Sequence, residues 1–469
     1  MKKLTFDDFY ADFDYICRQF KPTNDRVMRY APFALIILLA LLSADDLQAR
    51  SREKERAEVL SNSRGFYKEV FMDGGIGLTS RRKLPAAPFL GLTMEFFASA
   101  KEEKLSERDT LLQNDIFAGC EEDTNGRLLY PDGAPRFRMI YVNGGRATKH
   151  SKSLGENGLS RLREYVANGG SYLGTCAGAF FASSGSVNDK GALYNTDKYL
   201  CIWPSYTHST HLKKSRPTLR LEKGSPLSKY FDFGKARLVE EVYHNGGCYA
   251  HVDASHLLPT GSEPLARYIF DNTDKVIINN EIAIWAHKHS ERHGRAILCG
   301  SHPENVSEGE RLELMAAMML YAMEGNPKPQ IKGSLKSGKI REMDKRTEDN
   351  NPAFTRIGDR QYHHFRIDIP KGCKRLKIEI DGYENGNKFD LTLCAKRGEM
   401  AFHDNTSLKS VGNGCKRTLT VDNPKSGTWF VSVFCETTVE TNTDNYGTHY
   451  HDNLEVLNGV PYKVCAEWK

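Results

Sequence analysis

No Cys-x-x-Cys pair occurs among the 11 cysteines of this 469-residue chain, which argues against a zinc ribbon or a thioredoxin-type centre. Charge of one sign is also scarce. The net charge is only +5, with no basic stripe interleaved with aromatics, so nucleic acid is not an expected partner. No solenoid-type repeat is present. The chain also lacks the run of about 20 apolar residues that a membrane helix needs. What is present is an ordinary globular composition, 39% hydrophobic and 27% charged, over a length that suits two domains.

The longest apolar stretch, Ala31 to Ala44 (APFALIILLALLSA), is short for a span and suits the core of a secretory signal peptide. Arg26 and Arg29 precede it, and Leu47-Gln48-Ala49 supplies a cleavage site. Residues 1–49 are therefore expected to be a signal region, with Met28 a better-placed start. A signal anchor or a buried helix is the alternative. The expected location is secreted or periplasmic, or else membrane-anchored, with membrane contact only through this segment. Five cysteines (Cys373, Cys394, Cys415, Cys435 and Cys465) crowd the last quarter. They fit either one or two structural disulfides or ordinary buried thiols.

Residues 50–62 are charged and read as an exposed stem. Beyond them, Tyr67 to Met72 reads as a strand, Pro88 to Ala100 as an apolar helix, and Arg138 to Val142 as a buried strand ending in Asn143-Gly144-Gly145. A helix follows with Leu159, Leu162, Tyr165 and Val166 on one face, stopped at Asn168-Gly169-Gly170. Ser171 to Thr175 is a strand and Ala177 opens a helix. Val276 to Ala286 reads as a hairpin turning at Asn279-Asn280. Arg295 to Cys299 is a last strand, and a Met-rich helix runs from about Ser307 to Glu324. Alternating strands and helices predict an α/β domain with a mainly parallel sheet covered on both faces. Residues 326–355 are polar and read as a linker. The short alternating segments after it (365–369, 376–380, 390–394, 418–421, 429–435 and 462–468) predict an antiparallel β-sandwich over 356–469.

The chemistry concentrates at Gly174-Thr175-Cys176-Ala177-Gly178, between a strand and a helix. This is the form of a nucleophile elbow, in which the reactive residue sits on a strained turn and flanking glycines avoid collision. Downstream, Gly300-Ser301-His302-Pro303-Glu304 places a histidine just past the last strand, on the sheet edge where α/β folds bind ligands. Glu304 can orient the ring. Cys176, His302 and Glu304 are thus the nucleophile, base and orienting carboxylate of a candidate triad. Backbone N–H groups of Gly144, Gly145 and Ala177 are candidates to hold an oxyanion. Histidines 251, 256, 287, 289 and 293 lack evident ligand spacing, so no metal and no cofactor are expected.

The order strand–NGG, amphipathic helix, GTCAGA and GSHPE resembles the class I glutamine amidotransferase-like superfamily. Within it, YLGTCAGAFFAS and YHNGGCY (residues 243–249) are most similar to the domain at the N-terminus of some biotin–protein ligases. The resemblance covers residues 64–325. It implies a doubly wound, flavodoxin-like fold, the roles given above for Cys176, His302 and Glu304, and a pocket-side loop at Asn245, Gly246 and Gly247. Ala179-Phe180-Phe181 stands where true amidotransferases carry a glutamine-binding Gln, so glutamine is not the expected substrate. The C-terminal segment, on its FRIDI, NKFDLTL, NPKSGTWFVSV and YKVCAEW runs, resembles the bacterial pre-peptidase C-terminal domain, which implies binding to a surface or polymer. The expectation is an exported cysteine-dependent amidase or hydrolase acting on a small-molecule or peptide amide, or a related acyl group. The alternatives are a non-catalytic binding module of the same fold and a partner-dependent glutamine amidotransferase.

Overall fold

The computed structural model describes residues 46–62, 65–73, 84–97, 124–188, 190–270, 278–346, 351–383, 388–444 and 447–469. The apolar run 31–44 lies outside them, and no helix among the described residues is long and apolar enough to cross a membrane. The chain divides into two units, 1–57 and 58–469. Of the first, residues 46–57 are described. They are helical, so this part of the expected stem has regular structure.

The second unit is built on five parallel strands: β1 (Lys68–Asp73), β2 (Met94–Phe97), β3 (Phe137–Val142), β4 (Ser171–Thr175) and β5 (Ala296–Cys299). They lie in the order β2-β1-β3-β4-β5, all neighbours parallel. Helix α1 (Ala147–Ala167) carries Leu162 and Tyr165 into one apolar cluster with Ile140, Tyr172 and Leu298. Helix α3 (Gly309–Glu324) carries Met315, Met318 and Met319 into another with Met139, Leu173 and Ile297. Successive strand residues thus feed opposite clusters, which defines a doubly wound α/β sheet. Beyond β5 the sheet continues through strands Ile282–His287, Cys248–Ala250 and Trp203–Ser209, each antiparallel to the one before it, and then Ser183–Val187, parallel to Trp203–Ser209.

Two local expectations need correction. The segment expected as a helix over Pro88 to Ala100 is, among its described residues, helical only at the end of Ala86–Phe89 and then forms β2; residues 98–100 lie outside the described set. Gly91, at φ +70°, makes the switch. Its N–H bonds the Pro88 carbonyl and that of Leu92 bonds Ala87, a closed C-terminal cap that stops the helix. The hairpin expected within Val276 to Ala286 does turn through Asn280, which has φ +71°. Its first arm, however, is Ser262–Ile269, paired with Ile282–His287. Residues 276 and 277 are outside the described set.

Among the described residues the C-terminal region holds two larger sheets, besides the two-stranded pairing of Glu440–Thr443 with Thr448–His451. One runs Ile331–Ser334, Tyr362–Ile369, Gly427–Cys435, Leu391–Arg397, Lys409–Ser410; the other runs Arg341–Met343, Tyr462–Trp468, Arg375–Gly382, Arg417–Asp422. Every pair is antiparallel except the first, Ile331–Ser334 with Tyr362–Ile369. Phe365, Ile367, Val431 and Leu393 from one sheet share a buried cluster with Leu376, Ile378, Val464 and Ala466 from the other. The expected linker is corrected here, because 331–334 and 341–343 are edge strands of the two sheets. Cys373, Cys394, Cys415, Cys435 and Cys465 are all free thiols.

The sandwich is joined to the α/β layer by a buried polar seam. Arg136 Nη2 lies 2.9 and 3.0 Å from the two oxygens of Asp359, both residues almost wholly buried, and the guanidinium packs over Tyr67 at 4.5 Å. Lys332 pairs with Asp132 at 2.5 Å, and Tyr450 donates to Glu95 at 2.7 Å. A cleft of about 440 Å³, lined by Tyr130, Asp132, Asn168, Lys332 and His364 among others, lies along this seam and includes no candidate catalytic residue.

Several buried histidines make the fold acid-sensitive. Burial depresses His364 to about 4, and burial with the nearby His302 charge depresses His244 to about 4. Burial also holds His363 well below 6.5. These rings are neutral when folded and protonate near 6.5 when unfolded. Their contribution to stability is therefore present above 6.5 and lost as pH falls through 4. At about 1.4 kcal/mol per pH unit, His244 and His364 together account for several kcal/mol. The melting temperature is expected to fall steeply between pH 6.5 and 4, and His364→Gln is expected to flatten that slope in a thermal-melt series.

Candidate active site

Cys176 follows β4 and precedes helix α2 (Ala177–Ala182), with φ +49° and ψ −105°. An L-residue resists this conformation. It is over-determined by its surroundings: Cys176 N–H bonds the Cys299 carbonyl at 2.8 Å, and its own carbonyl accepts from Ala179 and Phe180. The flanking glycines are required sterically. A Cβ at Gly174 would lie 2.6 Å from the Gly178 carbonyl carbon, and one at Gly178 would overlap the Val142 carbonyl oxygen.

His302 is carried past the end of β5 and pinned by its N–H to the Tyr243 carbonyl at 2.8 Å. Its Nδ1 lies 2.8 Å from Glu304 Oε1, and the Cys176 sulfur is close enough to the ring to raise its pKa. The three residues thus come together in the order sulfur, imidazole, carboxylate. Burial on its own would lower the His302 pKa, but the Glu304 carboxylate and then the Cys176 sulfur outweigh it, and the net value is raised to about 11. His302 is therefore an imidazolium at neutral pH, the charge state that stabilises a thiolate beside it. By linkage it contributes stability in full below 6.5, lost as pH rises toward 11.

Gly144 is pressed against this ring, for a Cβ there would overlap His302 Cε1. Gly145 is exposed at φ +136°. Ala177 opens α2, where first-turn N–H groups have no intrahelical acceptor. The loop 243–247 is also brought to the site, through Tyr243 against His302 and through Gly247, whose Cβ would overlap the Gly300 carbonyl. Asn245 is placed differently. It is exposed, and its Oδ1 accepts from the Lys214 backbone at 3.2 Å. Gly246 is an exposed turn residue at φ +72°.

The structure adds residues that sequence reasoning missed. Thr175 donates to Glu304 Oε1 at 3.3 Å and meets the Tyr141 hydroxyl at 3.0 Å, which helps fix the carboxylate. His150, on α1, reaches the Asn143 carbonyl at 3.1 Å and braces the glycine turn. Beneath the histidine loop, His244 Nδ1 bonds Ser301 Oγ at 2.9 Å, and Gly247 N–H points to His244 Nε2 at 3.2 Å. An accepting Nε2 makes Nδ1 the protonated nitrogen. Only the position of Thr175, next to the elbow, hinted at any of these. Cys248 and Cys299 lie near Cys176, and burial pushes both thiols up, so they are neutral.

Comparison with known proteins gave one family model over this core. Residues 134–319, which include Cys176, His302, Glu304 and the 243–247 loop, match the family model described as biotin-protein ligase, N terminal. A solved structure described as a glutamine amidotransferase is similar at 14% identity, covering 54% of this chain and 98% of that one, with a TM-score of 0.34. No curated protein matches the chain.

Proposed function

We propose that this chain is a cysteine-dependent amidase or hydrolase, exported from the cell, acting on an amide or related acyl substrate. The observation that carries the proposal is the Cys176–His302–Glu304 set, brought together with the cysteine on a positive-φ elbow. Cys176 Sγ attacks the carbonyl carbon and the C–O π pair moves to oxygen. N–H groups of Ala177 and the Gly144-Gly145 turn accommodate that oxyanion. On collapse the C–N bond breaks, and the leaving amine takes the proton from His302. Water then attacks the thioester, His302 accepts its proton, and the carboxylic acid leaves as the C–S bond breaks and the thiolate beside the imidazolium is restored. Export rests on the apolar run Ala31 to Ala44 with its flanks. Ala179-Phe180-Phe181 after the elbow speaks against glutamine as the substrate. The C-terminal sandwich would hold the enzyme to a surface or polymer.

Labelling with iodoacetamide at neutral pH tests the central claim. Cys201 is an exposed free thiol and provides the reference. Cys176 should react faster than Cys201 although it is only 5% exposed, and His302→Ala should slow it on the order of 10²-fold. Labelling no faster than Cys248 or Cys299 would instead favour a binding module that retains the fold. Glutaminase activity appearing only with an added protein would point to an amidotransferase subunit.

A further inference from the structure

A second group of side chains with metal-ligand chemistry lies on the antiparallel extension of the sheet. His251 follows strand Cys248–Ala250 and is held there by its N–H to the Tyr206 carbonyl at 2.9 Å. The turn beyond it is closed by reciprocal backbone bonds between Asp253 and His256, 3.1 and 3.3 Å. That turn folds the Asp253 carboxylate between two imidazoles. Oδ2 is 3.1 Å from His251 Nε2, and Oδ1 is 3.0 Å from His256 Nδ1. One ligand atom from each of the three residues falls within 4.8 Å of the others.

We propose that His251, Asp253 and His256 form a binding site for a divalent first-row transition metal, zinc by its chemistry, with His208 as the fourth ligand. Two nitrogens and one oxygen at these separations need only small rotations to surround a zinc ion. Bonds of about 2.0–2.1 Å in a tetrahedron set ligand atoms about 3.3 Å apart. His208 comes from the paired strand, opposite Tyr249, and its ring lies 6.2 Å from that of His251. His208 Nδ1 meets the Ser209 carbonyl at 2.9 Å, which requires the proton on Nδ1 and leaves Nε2 as a lone-pair donor. This is the orienting contact that metal-bound histidines characteristically make. The His208 ring stacks on Tyr249 at 5.0 Å, and the His256 ring meets Tyr206 edge-on at 6.0 Å, so aromatic walls flank the site. Imidazole ligands select zinc and its neighbours over magnesium or calcium. Among the described residues, none of these four side chains hydrogen-bonds to Cys176, His302 or Glu304.

Chelator-treated full-length protein titrated with zinc against a chromogenic competitor tests the site. One equivalent should bind, and Co²⁺ in its place should give the intense visible bands of a tetrahedral centre. His251→Ala and Asp253→Asn should each weaken zinc at least tenfold. Asp253 is half-exposed, so its variant should keep the native circular dichroism. Cys176→Ala, and His289→Ala in the separate histidine group of residues 287–293, should leave the equivalent in place. Failure to bind one equivalent overturns the proposal. So does zinc whose affinity is unchanged by His251→Ala and Asp253→Asn, or is lost on alkylation of the cysteines.

Discussion

Gly144→Ala is expected to cut the reactivity of Cys176 on the order of 10²-fold while leaving the fold intact. The added methyl would occupy the position of His302 Cε1. Gly144 is not among the positive-φ glycines, so alanine suits the backbone and the collision with the ring is the principal penalty. The ring cannot yield cheaply, because Glu304 holds Nδ1 at 2.8 Å and Tyr243 holds the backbone N–H at 2.8 Å. Displacing it by about 1 Å breaks the alignment with the sulfur, and misplacement on that scale costs about two orders of magnitude. The check is the iodoacetamide rate at Cys176 together with a thermal melt. The double variant Gly144→Ala/His302→Ala separates the effects: the methyl then has room, so stability should recover while reactivity does not. Reactivity unchanged in Gly144→Ala would mean that the ring position is immaterial to the thiol.

Arg136→Met should destabilise the second unit by about 3–5 kcal/mol, the typical cost of leaving a buried charge without its partner. Burial raises the Asp359 pKa, and Arg136 is the main influence opposing this. Without the arginine, Asp359 must either stay ionised without its buried partner or take up a proton. A carboxyl with a raised folded-state pKa contributes stability at low pH and loses it as pH rises. The deficit of the variant relative to the parent should therefore be larger at pH 8 than at pH 5 in urea unfolding. Arg136→Met/Asp359→Leu should recover most of the loss, because apolar replacement of a buried pair is often neutral. A deficit that is independent of pH would assign the loss to packing over Tyr67 and Tyr450 instead.

The features legible in the sequence were those encoded within a few residues. The elbow is a five-residue pattern, the His302–Glu304 pair spans three, and the alternation of 362–369 or 462–468 reflects one buried face. Illegible features depend on partners far along the chain. Thr175 and Glu304 are separated by 129 residues and His244 and Ser301 by 57, and a generic threonine or histidine announces neither contact. Strands 331–334 and 341–343 read as linker because they are edge strands that bury little, so they show no alternation. The helix expected near Pro88 failed for a readable reason: Gly91 was the stop signal, and the apolar residues after it belong to a strand. His251 and His256 were visible as residues, but His208 reaches them only through the pairing of two strands.

The backbone at Cys176 sits where glycine would be most at ease. Cysteine at this point is a standing conformational debt, on the order of 1–3 kcal/mol, carried in every folded molecule whether or not substrate is present. A variant with glycine at position 176 would relieve that debt and lose the thiol in one step. Screens that select for thermal tolerance alone would therefore tend to disarm this protein, and its most heat-tolerant descendants would need to be checked first at this one residue.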